Sequence, residues 1–160
     1  MPLTIGLDIS WTGSGIVVTD GGEAVYRACV GTEAKEGKHI LAPGYRLEVV
    51  RAGVLRALAQ FPNVTRAGIE DYARGKLNRR EEMGEVTGIV KHLLWRHHIP
   101  YFTCAPQQLK KWALGEFVVG EKGKAMMLRA AQEEGLRTFD NNVADAFWVA
   151  RWTDAHHPDH

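Results

Sequence analysis

The most constraining feature of this chain is its first apolar segment, Leu3–Ile9, which carries a single charged residue, Asp8, near its end. Two more extended segments follow at once. Gly15–Thr19 is rich in β-branched residues, Asp20-Gly21-Gly22 is a turn signal, and Glu23–Val30 alternates as a hairpin partner would. Three antiparallel strands therefore open the fold. An unpaired carboxylate inside an apolar strand is costly, so Asp8 needs either turn N–H donors or a partner of opposite charge.

Beyond this meander the periodicity changes. A polar, glycine-containing loop (31–44) leads to Tyr45–Phe61, where Leu47, Val50, Val54, Leu55 and Leu58 recur at helical spacing and Pro62-Asn63 ends the run. Ala67–Glu70 reads as a short buried strand that ends in carboxylates, Glu70 and Asp71. The pattern then predicts a helix from about Glu81 to His97, a strand at Pro100–Thr103 and a short helix opened by Pro106 and reaching Leu114. The glycines of 115–123 predict a loop. Further helices are expected from about Lys124 to Glu134, stopping at Gly135, and from Asn141 to Trp152. Strands first as a meander, then alternating with helices, define an α/β fold with a mixed sheet and helices on its faces.

Bulk properties bound the function. A chain of 160 residues without repeats or an evident linker fits one domain, over 1–155, with a flexible, His-rich tail at 156–160. No apolar run reaches the roughly 20 residues a membrane helix requires. The N-terminus lacks the basic start of a signal peptide, so a cytoplasmic protein is expected. Cys29 and Cys104 form no CxxC pair and read as reduced thiols. The net charge of +1 is uninformative, but its distribution is not. Arg74, Lys76, Arg79 and Arg80 crowd one segment, Lys110 and Lys111 are adjacent, and Lys122 and Lys124 follow. Local basic patches of this kind suit a polyanion bound along one face.

Asp8 and Glu70 end strands, and Asp145 lies in the first turns of the last helix, flanked by Val143, Ala144, Ala146 and Phe147. Each has an ordinary reading: a turn acceptor, a solvated loop acid (Glu70 or Asp71), a partner for an arginine. If the strands are neighbours and the helix crosses them, the carboxylates converge. Converging carboxylates repel unless a cation stands between them, and hard oxygen donors select Mg²⁺ or Mn²⁺.

These residues sit in a pattern that resembles the RuvC-type Holliday junction resolvases. Gly6-Leu7-Asp8-Ile9-Ser10-Trp11-Thr12-Gly13-Ser14-Gly15 is similar to the family's opening strand and Gly-rich turn. Ala67-Gly68-Ile69-Glu70-Asp71-Tyr72 is similar to its second acidic strand. Met83-Gly84-Glu85-Val86-Thr87-Gly88 resembles the start of the following helix, and Asn142-Val143-Ala144-Asp145-Ala146 its terminal acidic motif. The resemblance runs in order from about residue 3 to 152. The first motif alone is unspecific, being shared with sugar kinases and actin-like ATPases.

The resemblance implies an RNase H-like fold and a homodimeric, metal-dependent DNA endonuclease that makes paired nicks in four-way junctions, leaving 5′-phosphates. The helix around Val86–Trp95 would supply the dimer surface or belong to the core. Asp8, Glu70 and Asp145 match the metal ligands, for about two Mg²⁺ (or Mn²⁺) ions per site. The fourth ligand position falls on Asn142, which brings no charge. Asn142 is natural with weaker metal binding, or Asp140 compensates, or an original aspartate was replaced in a trapped form; the last is preferred. Lys110 and Lys122 match functional lysines of the family, with Lys122 favoured for catalysis. Tyr72 matches an aromatic residue at the junction centre, and Arg74, Lys76, Arg79, Arg80 and Lys124 would contact phosphates. The compact length suits a phage-type member. The rival readings are an RNase H-like nuclease acting on RNA or hybrid duplex, a weakened junction-binding protein, and an ATP-binding fragment for which the chain is too short.

Overall fold

A computed structural model describes residues 2–31, 42–71 and 80–158. The sheet contains β1 (Leu3–Asp8), β2 (Gly13–Asp20), β3 (Glu23–Gly31), β4 (Val64–Glu70) and β5 (Tyr101–Cys104). Its order is β3-β2-β1-β4-β5, antiparallel among the first three and parallel from β1 to β4 and β4 to β5. The helices are α1 (Ala42–Gln60), α2 (Arg80–Arg96), α3 (Pro106–Leu114), α4 (Gly120–Glu133) and α5 (Asn141–His156). This is the expected mixed α/β architecture.

Side-chain alternation along the strands divides the core in two. Ile5, Leu7, Ile16, Val18, Ala67 and Ile69 face a cluster that includes Val50, Val54 and Leu58 of α1 and Val86, Val90 and Leu94 of α2. On the other face Val17 packs with Met127 and Ala131 of α4 and Val143, Phe147 and Val149 of α5. Helix α5 is buried over most of its circumference, which explains its lack of a clean polar stripe.

The α5 face of the two central strands follows a shared pattern. Parallel pairing aligns Thr4 with Arg66 and Gly6 with Gly68, and Leu7 with Ile69. Asp8 and Glu70 follow next in the two strands. In the middle, glycine lets the helix backbone lie directly on the sheet. A Cβ on Gly6 would stand 2.0 Å from the Ala146 carbonyl oxygen, and one on Gly68 would stand 2.1 Å from Thr153 Oγ1. At one end Arg66, 4% exposed, pairs with Asp154 of α5 at 2.8 Å. Thr4 donates to the same carboxylate and accepts from Arg66 Nε. The opposite end holds the acidic residues.

Element boundaries depart from expectation at two places that matter. The segment expected as a loop up to Gly123 is helical from Gly120, which adopts a left-handed φ of 69° after an extended Val119. Gly123 is not a loop residue: its missing Cβ lets α4 approach the Val118 carbonyl, which would lie 2.9 Å away. Helix α5 also runs a turn beyond Trp152, to His156. There the His157 ring stacks on Phe102 with centroids 3.8 Å apart, and the His157 and Pro158 carbonyls each accept from Arg66 at 2.9 Å. No helix among the described residues is long and apolar enough to cross a membrane.

Candidate active site

Asp8 at the end of β1, Glu70 at the end of β4 and Asp145 on α5 each offer a carboxylate oxygen, and these oxygens lie within 4.8 Å of one another. Two neighbouring strand ends and a helix laid across them by the glycine contacts produce this meeting. The electrostatics are those of crowded, desolvated acids. Burial raises the Asp8 carboxyl well above its ordinary value, and the charges of Glu70, Asp145 and Asp140 raise it further. Glu70 is pushed up to about 8, by burial first and then by Asp145. Burial lifts Asp145 to about 6, against the opposing pull of Lys110 and Lys124.

This donor set fits a divalent cation. Glu70 Oε2 is buried and accepts no hydrogen bond, an arrangement that leaves a lone pair free for an ion. Three carboxylates and no histidine in the cluster favour a hard metal such as Mg²⁺ or Mn²⁺. Cys104 pairs with Glu70 in register between β5 and β4, its thiol pushed up to about 12 by burial and by Glu70.

The other expected residues are distributed as follows. Asp140 caps α5: its Oδ1 accepts from the backbone N–H of Asn142 at 2.8 Å and of Val143 at 3.1 Å. Its charge reaches Asp8 and Asp145, but it stands outside the 4.8 Å cluster. Asn142 turns toward β2 and β3. Its Nδ2 would lie 3.2 Å from a Cβ on Gly13, and burial followed by the nearby Asp140 charge raises the Cys29 thiol above its ordinary value. Thr12, Gly13, Cys29, Gly31 and Asn142 line an open depression of about 420 Å³ at this edge.

Lys122 is exposed in the first turn of α4 rather than in a closing loop. The lysine charges that offset the carboxylates are those of Lys110, acting on Glu70 and Asp145, and Lys124, acting on Asp8 and Asp145. Lys124 also lies 3.6 Å from Glu121. Arg80 begins α2. Tyr72, Arg74, Lys76 and Arg79 lie outside the described residues. The Gly6/Gly68 contacts and the Arg66–Asp154 pair were not anticipated. The signal available was the shared two-residue spacing of Thr4-Gly6-Asp8 and Arg66-Gly68-Glu70.

The sheet order, with helices on both faces and acidic residues at the ends of β1 and β4, is that of the RNase H-like fold. Within that class the chain is similar in structure to RuvC of Thermus thermophilus, at TM-score 0.70 and 22% identity over 92% of this chain and 90% of that one. It is also similar to T. thermophilus RuvC in complex with a Holliday junction substrate, at TM-score 0.71 and 20% identity over 94% and 91% of the two chains. No family model and no curated protein sequence matches it.

Proposed function

We propose that this chain is a Holliday junction resolvase, a divalent-metal-dependent endonuclease that makes paired nicks in four-way DNA junctions. The observation that carries the reading is the meeting of Asp8, Glu70 and Asp145 within 4.8 Å. It occurs on a fold shared across almost the whole chain with a RuvC solved on a junction. A bound Mg²⁺ pair would supply an activated water and charge stabilisation for the departing oxygen.

The chain's own residues do the rest. Asp8, Glu70 and Asp145 hold the metal, with Glu70 Oε2 free of competing donors. The glycine contacts of α5 with β1, β2 and β4 fix the three carboxylates before substrate arrives, a preorganisation that a flexible loop does not supply. Lys110 and Lys124 place positive charge beside the cluster, where it can hold the scissile phosphate and offset charge developing on it. By the resemblance, Arg74, Lys76, Arg79 and Arg80, together with Lys122, are further phosphate contacts, and Tyr72 is the aromatic residue for the junction centre. Symmetric nicking calls for a two-fold dimer; the apolar residues Val86, Val90, Leu93 and Leu94 of α2 belong to the core.

A nicking assay on synthetic four-way junctions, with Mg²⁺ and with chelator, tests the proposal. Paired, metal-dependent nicks near the branch point are expected. Preferential cleavage of an RNA–DNA hybrid would favour the RNA-directed alternative. Tight binding without cleavage, also in an Asn142→Asp variant, would favour a silent junction-binding protein.

A further inference from the structure

Phe139 is 93% exposed, the most exposed large apolar side chain among the described residues. Its backbone is nevertheless held on both sides. Leu136, three residues past the end of α4, is buried at 4% exposure, and its N–H donates to the Ala131 carbonyl at 3.0 Å. The Thr138 carbonyl accepts from Gln132 Nε2 at 2.8 Å, and Thr138 Oγ1 accepts from the Asp140 N–H at 3.1 Å. Asp140 is then fixed as the cap of α5. These bonds fix the backbone on both sides of Phe139, and its ring stands in solvent.

Its position is not neutral. Phe139 directly precedes Asp140, whose charge bears on both Asp8 and Asp145, and it lies three residues from Asn142 at the edge of the open depression. Arg137, exposed, stands two residues before it. An exposed aromatic ring two residues from an exposed arginine, directly before the cap of the helix that carries Asp145, matches the two needs of unpaired nucleic acid: a stacking surface and a phosphate contact.

We propose that Phe139 is a base-stacking residue, which takes an unpaired or splayed nucleobase of the substrate beside the carboxylate cluster. This inference rests on the nuclease reading and deepens it. The alternative occupant, a second copy of the chain, is less favoured because the ring stands on a narrow, pinned loop flanked by charge rather than on a broad apolar face.

The test compares the full-length chain with its Phe139→Ala and Phe139→Trp variants, using fluorescently labelled four-way junctions and a fully paired duplex of equal length, in Ca²⁺ to suppress cleavage. Phe139→Ala is expected to weaken junction binding by about 5- to 100-fold and duplex binding much less, with Phe139→Trp restoring it. A 2-aminopurine placed at the branch, quenched while stacked between its neighbouring bases, should brighten when the wild-type chain splays it out, and brighten less with Phe139→Ala. Equal junction affinity of wild type and Phe139→Ala would overturn the stacking role while leaving the nuclease reading intact. So would a change of oligomeric state in Phe139→Ala, seen by sedimentation. Failure of the wild-type chain to bind any branched DNA would instead sink the nuclease reading itself.

Discussion

Gly15 of β2 lies under the first turn of α5 so closely that a Cβ at this position would stand 1.9 Å from the Asn142 carbonyl oxygen. No rotamer relieves a clash with backbone, so Gly15→Ala must lift the end of the helix that carries Asp145. We expect a loss of more than about 2 kcal/mol in urea unfolding and weaker metal binding. Gly88, within α2, has nothing within 4 Å of its Cβ position. Gly88→Ala should therefore stabilise the chain by about 0.5–1 kcal/mol.

Metal binding should be linked to protons. Glu70 and Asp145 titrate in the folded, metal-free chain at about 8 and about 6, above their ordinary values. Raised folded values mean that these groups contribute stability that is complete below about pH 4, near their unfolded values, and is lost as pH rises through 6 and then 8. The metal-free chain should melt at a lower temperature at pH 8 than at pH 5.5. Added Mn²⁺ should restore more of the loss at pH 8 than it adds at pH 5.5. Calorimetric titration should register proton release on binding, greatest near neutral pH.

The lysines should separate by position rather than by sequence resemblance. Lys124 and Lys110 act on the carboxylates, whereas Lys122, two residues before Lys124 in α4, is not among the charges acting on them. Lys110→Ala and Lys124→Ala should each lower single-turnover nicking by at least about tenfold, consistent with loss of one charge contact in the reacting state. Lys122→Ala should act mainly on binding and reduce its salt dependence by about one phosphate contact.

Asn142→Asp tests the fourth position. A carboxylate here would add charge beside Asp140, which already bears on Asp8. Held with metal, that charge should raise Mg²⁺-dependent cleavage and Mg²⁺ affinity. Without metal, the same repulsion should lower the melting temperature. A variant with unchanged cleavage would reject position 142 as part of the metal site.

The fold was largely legible because strand periodicity and turn signals are local. Leu3–Ile9, the Gly21-Gly22 turn and the helical spacing of Leu47 to Leu58 can be read residue by residue. The three acids were legible as strand and helix ends. The contacts that bring them together are not local. Gly6 and Gly68 are 62 positions apart in sequence but adjacent in register, and only the crossing of α5 reveals why both lack a side chain. Gly120 and Gly123 misled the reading in different ways: Gly120 serves a left-handed φ of 69° where the helix begins, with open space around it, whereas Gly123 serves a close approach to the Val118 carbonyl. A glycine demanded by close packing inside a helix looks, in sequence, like a glycine demanded by a loop.

The account stands on one shared cation held by Asp8, Glu70 and Asp145. Crystals of the full-length chain soaked in Mn²⁺ and measured at the manganese absorption edge give the most direct test. An anomalous peak in contact with all three carboxylates, absent in Glu70→Gln, is the result expected. Manganese bound elsewhere, with these three carboxylates remaining uncoordinated, would contradict it.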